Sequence, residues 1–252
     1  MNEQQAGKDD LIPRSGYRKS PSLADYEPSD QDPKLLDHLE LILKKPGRLF
    51  YLINANPSAK NFIILIALST AFLLVYGILM GSFRGGEQLW IAPTKLVLGL
   101  FAGCIICLPS LYIFTCLNRA DIGFVNVIGN LLIAVTLLSI LLVGFAPVVW
   151  VFSQSTDSIP FIGFIHIAIY FISLYFSFRL LWHALNTVSG QNNGFVRVWM
   201  VIFLLVSLQM ATSLRPILGT ADTFLPKEKM FFINHWGYAM NNSSSDGERM
   251  VR

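Results

Sequence analysis

Phe62 to Phe83 reads FIILIALSTAFLLVYGILMGSF, twenty-two residues without a formal charge. The hydrocarbon core of a bilayer is about 30 Å thick, and a helix rising 1.5 Å per residue crosses it in about 20 residues. This run, bounded by Lys60 and Arg84, has the length and the flanking charges of a transmembrane helix. The sequence on either side repeats the pattern. Arg84-Gly85-Gly86-Glu87 makes a short turn, and a second apolar segment runs from Leu89 to Leu117, interrupted by Pro93, Lys95 and Pro109. Lys95 sits near one end, where a long side chain can reach the interface. After Asn118-Arg119-Ala120-Asp121, a third segment runs from Ile122 to Ala146, and Pro147 bends or ends it. The fourth spans Pro160 to Leu181, followed by an Asn- and Gly-rich turn from Asn186 to Gly194. The fifth, Val198 to Leu214, is about as short as a span can be, and Arg215-Pro216 stops it.

Charge placement supports the same reading. Nine of the 16 acidic residues precede Asn61. From Asn61 to Ala221 the acids are Glu87, Asp121 and Asp157, and the bases are Arg84, Lys95, Arg119, Arg179, Arg197 and Arg215. Nine formal charges over that length cannot cover a water-facing surface; the chain as a whole is 14% charged, against about 25% for a soluble domain. The pattern predicts an all-α, polytopic integral membrane helix bundle of about five transmembrane helices with flanking interfacial amphipathic segments. No apolar stretch in the first 30 residues resembles a signal peptide, so insertion is expected to start at the first span.

Residues 1–32 are polar and rich in Asp, Glu, Ser and Pro, a composition that predicts a disordered tail. Within 33–60, Leu35, Leu36, Leu39, Ile42 and Leu43 recur at helical spacing. Asp32 is the expected N-cap, Pro33 the first helical residue and Pro46-Gly47 the stop. Arg48 to Asn54 then forms a short apolar patch. The segment reads either as an amphipathic element lying on the membrane or as a helix packed on the bundle's own loops. The membrane domain covers 61–218. A second amphipathic segment, 219–240, carries Phe231, Phe232, Trp236 and Tyr238 among Lys227, Lys229 and His235, and 241–252 is a polar tail expected to be disordered. Asn241 and Asn242 head glycosylation sequons that matter only in a eukaryotic secretory membrane.

The spans contain no Asp or Glu to titrate at mid-membrane, as proton-coupled transporters commonly require. No phosphate-binding loop, HExxH pair or nucleophile elbow occurs, so neither catalysis nor a cofactor is expected. Cys104, Cys107 and Cys116 lie in one apolar segment and read as small buried hydrophobes. The net charge of +3, without a dense basic patch outside the apolar region, gives no reason to expect nucleic acid.

The polar residues inside the spans are the candidate site. Asn126 and Asn130, at i and i+4, share a helix face and either bond another helix or line a polar ligand site. His166 lies mid-span, suited to an interhelical hydrogen bond or to proton or ligand handling. It is 17 residues from His183 on the same helix, too far to share a metal. Gln209 and Arg215 stand near the broken end of the fifth span. Arg215 is either an interfacial anchor or part of a site against the C-terminal amphipathic segment. Gly77-x-x-x-Gly81 and Gly99-x-x-x-Gly103 clear grooves for close helix packing, within the chain or between copies.

Ile42-Leu-Lys-Lys-Pro46-Gly-Arg-Leu-Phe50, followed by five apolar segments with short turns, resembles bacterial members of the Yip1-domain family over residues 35–214. The resemblance implies a five-helix bundle behind a polar tail and an interfacial segment. It also implies a membrane organiser or partner-binding protein, with no catalytic residues to carry over. The expected function is therefore a non-catalytic membrane protein that binds or organises a partner protein or lipid. The alternative is a small-solute transporter or channel using Asn126, Asn130, His166 and Gln209. Self-association is a further expected contact. The basic residues Lys44, Lys45, Arg48 and Lys60 before the first span place the N-terminus in the cytoplasm, and a bacterial inner membrane is the expected location.

Overall fold

The computed structural model describes residues 35–55, 57–82, 86, 88–117, 122–155, 159–189 and 194–213. These form eight α-helices: α1 Leu35–Lys44, α2 Pro46–Ala55, α3 Ala59–Ser82, α4 Gln88–Leu117, α5 Phe124–Gly144, α6 Ala146–Ser155, α7 Ile159–Ser189 and α8 Gly194–Ser213. Among the described residues there is no strand. Among the described residues, four helical stretches are long and apolar enough to cross a membrane: Ala59–Ser82, Leu89–Leu117, Phe124–Ser155 through α5 and α6, and Phe161–Asn186. The fifth helix of the bundle, α8, is apolar over the shorter stretch Gly194–Gln209. Large apolar side chains such as Ile63, Val75, Ile105, Tyr175 and Leu205 point outward, as a lipid-facing surface requires.

The bundle is ordered α8–α4–α3–α5–α7, each helix packing along the next. The two end helices, α7 and α8, approach each other at few backbone points. Rings bridge them instead. Phe178 meets Trp199 at 6.2 Å and Phe203 at 5.6 Å between centroids, and Tyr170 hydrogen-bonds Ser207. The same Trp199 also reaches α4, its Nε1 donating to the Cys107 carbonyl at 2.9 Å. The same carbonyl also accepts from Ser110 Oγ at 2.8 Å.

Several local readings change. Pro46 does not only stop α1; it opens α2 as its first residue, a position where the absent N–H costs nothing. The stretch from Arg48 to Asn54, expected as an apolar patch, is therefore helical. Ile42 of α1 and Leu49, Phe50 and Ile53 of α2 are buried against Leu65, Ile133 and Ala184 of α3, α5 and α7. The charged side of α1, with Asp37 and the exposed Glu40–Lys44 pair, faces away. The break near Pro147 falls at Phe145, and the chain continues as α6. α7 runs on to Ser189, past the turn expected from Asn186, because Ala184 and Leu185 are buried and hold its last turns. Lys95 does not extend out of the bundle: it is 1% exposed, covered by the packed chain. The expected tails, 219–240 and Arg215 lie outside the described residues.

Candidate functional site

The polar groups of the bundle gather at two levels. The first is the contact of α2 with the start of α5. Asn126, Gly129, Asn130 and Ile133 lie on one face of α5, at helical spacing of three and four. Ile53 of α2 rests on Gly129. A Cβ added at Gly129 would collide with Ile53 Cγ2 and stand 3.3 Å from Phe62 Cε1, so only glycine leaves the notch open. Beside the notch, Asn54 Nδ2 donates to Asn130 Oδ1 at 3.4 Å, and Asn126 Nδ2 donates to the Asn54 carbonyl at 3.5 Å. Both bonds are long. Asn54 Oδ1 and Asn130 Nδ2 are buried with no hydrogen-bond partner among the described residues. The cluster fixes where α2 sits while leaving one acceptor and one donor unmatched.

The second level lies deeper. Tyr76 of α3 and His166 of α7 are buried, with Tyr76 Oη 2.9 Å from His166 Nδ1 and the rings edge-on. Leu180 packs in the cluster that contains Ile133, and His166 is fourteen residues before Leu180. At 1.5 Å per residue that is about 21 Å along α7. His166 and the asparagine cluster therefore cannot hold one ligand. His166, Tyr170, Ser173 and Ser177 recur at spacings of four, three and four, one continuous face of α7. Ser173 and Ser177 are buried, and their hydroxyls have no partner among the described residues. Ser69, Thr115 and Thr136 behave differently, each bonding the carbonyl four residues back.

The four polar candidates thus do not form one path. Asn126 and Asn130 join Asn54, His166 joins Tyr76, and Gln209 is exposed on α8. The partners Asn54 and Tyr76 have no signal of their own in the sequence. Of the glycine motifs, Gly77 marks a close crossing: an added Cβ would run into Pro93 Cα and lie 2.7 Å from Pro93 Cβ of α4. Gly81 is buried one turn on. Gly99 is half-buried, and a Cβ on Gly103 would meet nothing within 4 Å.

Among the described residues the exposed charge is one-sided. Lys44, Lys45, Lys60, Arg179 and Arg197 are exposed and Arg48 is half-buried, all at the end of the bundle where α1 and α2 pack. The other described Lys or Arg is the buried Lys95. Among the described residues, no group of three His, Cys, Asp or Glu side chains could hold a metal ion. No family model, no curated protein and no solved structure matches this chain.

Proposed function

We propose that this protein is a non-catalytic integral membrane protein that binds or organises a partner, protein or lipid, at the bundle end carrying α1 and α2. The placement of basic residues supports the reading: among the described residues, the five exposed Lys and Arg side chains all lie at that end. Basic residues accumulate on the cytoplasmic side of membrane proteins, so this end and the N-terminus are assigned to the cytoplasm. A bacterial inner membrane is the proposed location, in keeping with the layout shared with Yip1-domain proteins. The division of the buried polar groups into separate, mostly internal contacts favours a scaffold over a continuous solute path.

The test is affinity purification of the full chain from native membranes in mild detergent, with proteins and lipids identified by mass spectrometry. A stoichiometric protein or a selectively retained lipid supports the proposal. Loss of both, with solute flux appearing in reconstituted liposomes, sinks it. One observation favours that transporter alternative: the Ser173 and Ser177 hydroxyls are buried with no hydrogen-bond partner among the described residues, on the face that holds His166. Flux abolished by His166→Phe in a folded protein would select it.

A further inference from the structure

The two hydrophobic clusters of the chain use opposite faces of α5. Val127, Leu131, Leu138 and Leu142 point into the main core, which α3, α4, α7 and α8 share. Ile133 belongs to a second cluster with Ile42, Leu49, Phe50 and Ile53 of α1 and α2. Gly129, which carries Ile53, and Asn126 and Asn130, which bond Asn54, share the Ile133 face. No described residue of α1 or α2 belongs to the main core. The two short helices therefore pack on the outside of a bundle whose main core is complete without them.

Docking satisfies the apolar groups of α2 but not all of the polar ones. Asn54 Oδ1 and Asn130 Nδ2 are buried with no partner among the described residues, and the bonds that join Asn54 to α5 are 3.4 and 3.5 Å long. Each unmatched group disfavours docking by about tenfold relative to a state in which water reaches it. Asn126 and Asn130 lie in the first two turns of α5, at the end that carries the exposed lysines, so release brings these amides to water and headgroups. The apolar face loses little on release. Amphipathic helices bury such a face in the headgroup layer, and lipid tails are as apolar as the side chains it leaves. The fit of Ile53 in the Gly129 notch favours the docked state. Docked and released states are thus set against each other by small, opposing contributions.

We infer that α1 and α2 form a strap that leaves the outward face of α5 and returns to it as one unit, while the other helices stay packed. The pair moves together because its junction is hydrogen-bonded: Lys45 N–H donates to the Leu41 carbonyl at 2.9 Å and Arg48 N–H to the Lys45 carbonyl at 3.1 Å. The hinge lies at Pro57 and Ser58, outside both α2 and α3, where proline has no N–H to continue a helix. The closed strap covers a docking site for a helix, a glycine notch for one branched side chain with an amide donor and acceptor beside it. That an open strap admits a partner there rests on the partner-binding function proposed above; the opening itself does not.

The test is hydrogen exchange of the purified full chain in detergent, read by peptide mass. The α1 and α2 amides should share one rate, about tenfold or more above that of the inner α5 amides, as a sub-global opening requires. A cross-link should remove that difference. A Cβ on Gly129 would lie 2.3 Å from Ile53 Cγ2, hence within about 3.8 Å of Ile53 Cβ, the usual spacing across a disulfide. With Cys116→Ser removing the exposed thiol, Ile53→Cys and Gly129→Cys should oxidise to a bond within one chain. The oxidised strap should exchange at the α5 rate, and dithiothreitol should restore the fast rate. Should that variant fail to fold, Ile53→Ala empties the notch and should speed α1 and α2 alike by at least about tenfold, with the inner α5 amides unchanged. The strap is overturned by α1 and α2 amides that already exchange at the α5 rate, by different rates for α1 and α2, by fast exchange that survives oxidation, by a disulfide that forms between chains, or by Ile53→Ala speeding every helix together. No partner enters the measurement, so a strap that stays shut leaves the partner-binding function standing, and a strap that opens without a partner being found leaves the strap standing.

Discussion

Asn54 Nδ2 reaches Asn130 Oδ1 at 3.4 Å across 76 residues of sequence, and this contact joins α2 to the foot of α5. Replacing Asn54 by Leu strands the buried Asn130 amide and should cost about 0.5–2 kcal/mol. The double replacement Asn54→Leu with Asn130→Leu should recover most of that, since two apolar side chains leave nothing unmatched. Apparent Tm of the single and double variants in detergent checks this. A double variant as unstable as the sum of the singles would show that the amides matter beyond their own contact.

Gly129 is the floor on which Ile53 rests. Gly129→Ala should push α2 off α5 and cost about 1–3 kcal/mol, as overpacking does. Adding Ile53→Ala vacates the notch and should restore docking. Hydrogen exchange of the α2 amides reads this directly: fast in Gly129→Ala, protected again in the double variant.

The two glycine motifs should separate under the same substitution. Gly77→Ala forces α3 from Pro93 of α4 and should destabilise the bundle by about 1–3 kcal/mol. Gly103→Ala meets open space and gains helix propensity, so it should be neutral or stabilising by up to about 1 kcal/mol. Thermal unfolding of the two variants side by side is the measurement.

Tyr76→Phe removes the partner of a buried imidazole and should cost about 0.6–2 kcal/mol. Leaving Tyr76 in place and changing His166 to Phe should cost a similar amount if the pair acts only in packing. Stability loss without any change in liposome flux fits the scaffold function, and a flux change in both variants fits the transporter.

Thiol accessibility follows burial. Cys116 is exposed near the end of α4, whereas Cys104 and Cys107 are buried. A maleimide should label one thiol per chain in the folded protein and all three after denaturation. Labelling of Cys104 or Cys107 in the folded state would contradict the packing of α4 against its neighbours.

Hydropathy is a property of a short window, so the helical class and the apolar cores of the five bundle helices were legible in the sequence. The second apolar segment, Leu89 to Leu117, matches α4 within a residue. Pairing was not legible, because these helices are apolar all round and present no polar face to say which side is inside. Nothing local announces that Asn54 meets Asn130 or that Tyr76 meets His166, since the partners are 76 and 90 residues apart. The glycine spacing shows the limit from the other side. Gly103 stands in a packing motif, yet a Cβ there would meet nothing within 4 Å, whereas Gly129 stands in no motif and receives Ile53. Composition placed a turn at Asn186, and buried Ala184 and Leu185 carried the helix past it. The sequence by itself determined an all-helical chain with spans long and apolar enough to cross a membrane. The tertiary structure decided which side chains face one another, because contact depends on the three-dimensional register of whole helices and not on any residue's neighbours in the chain.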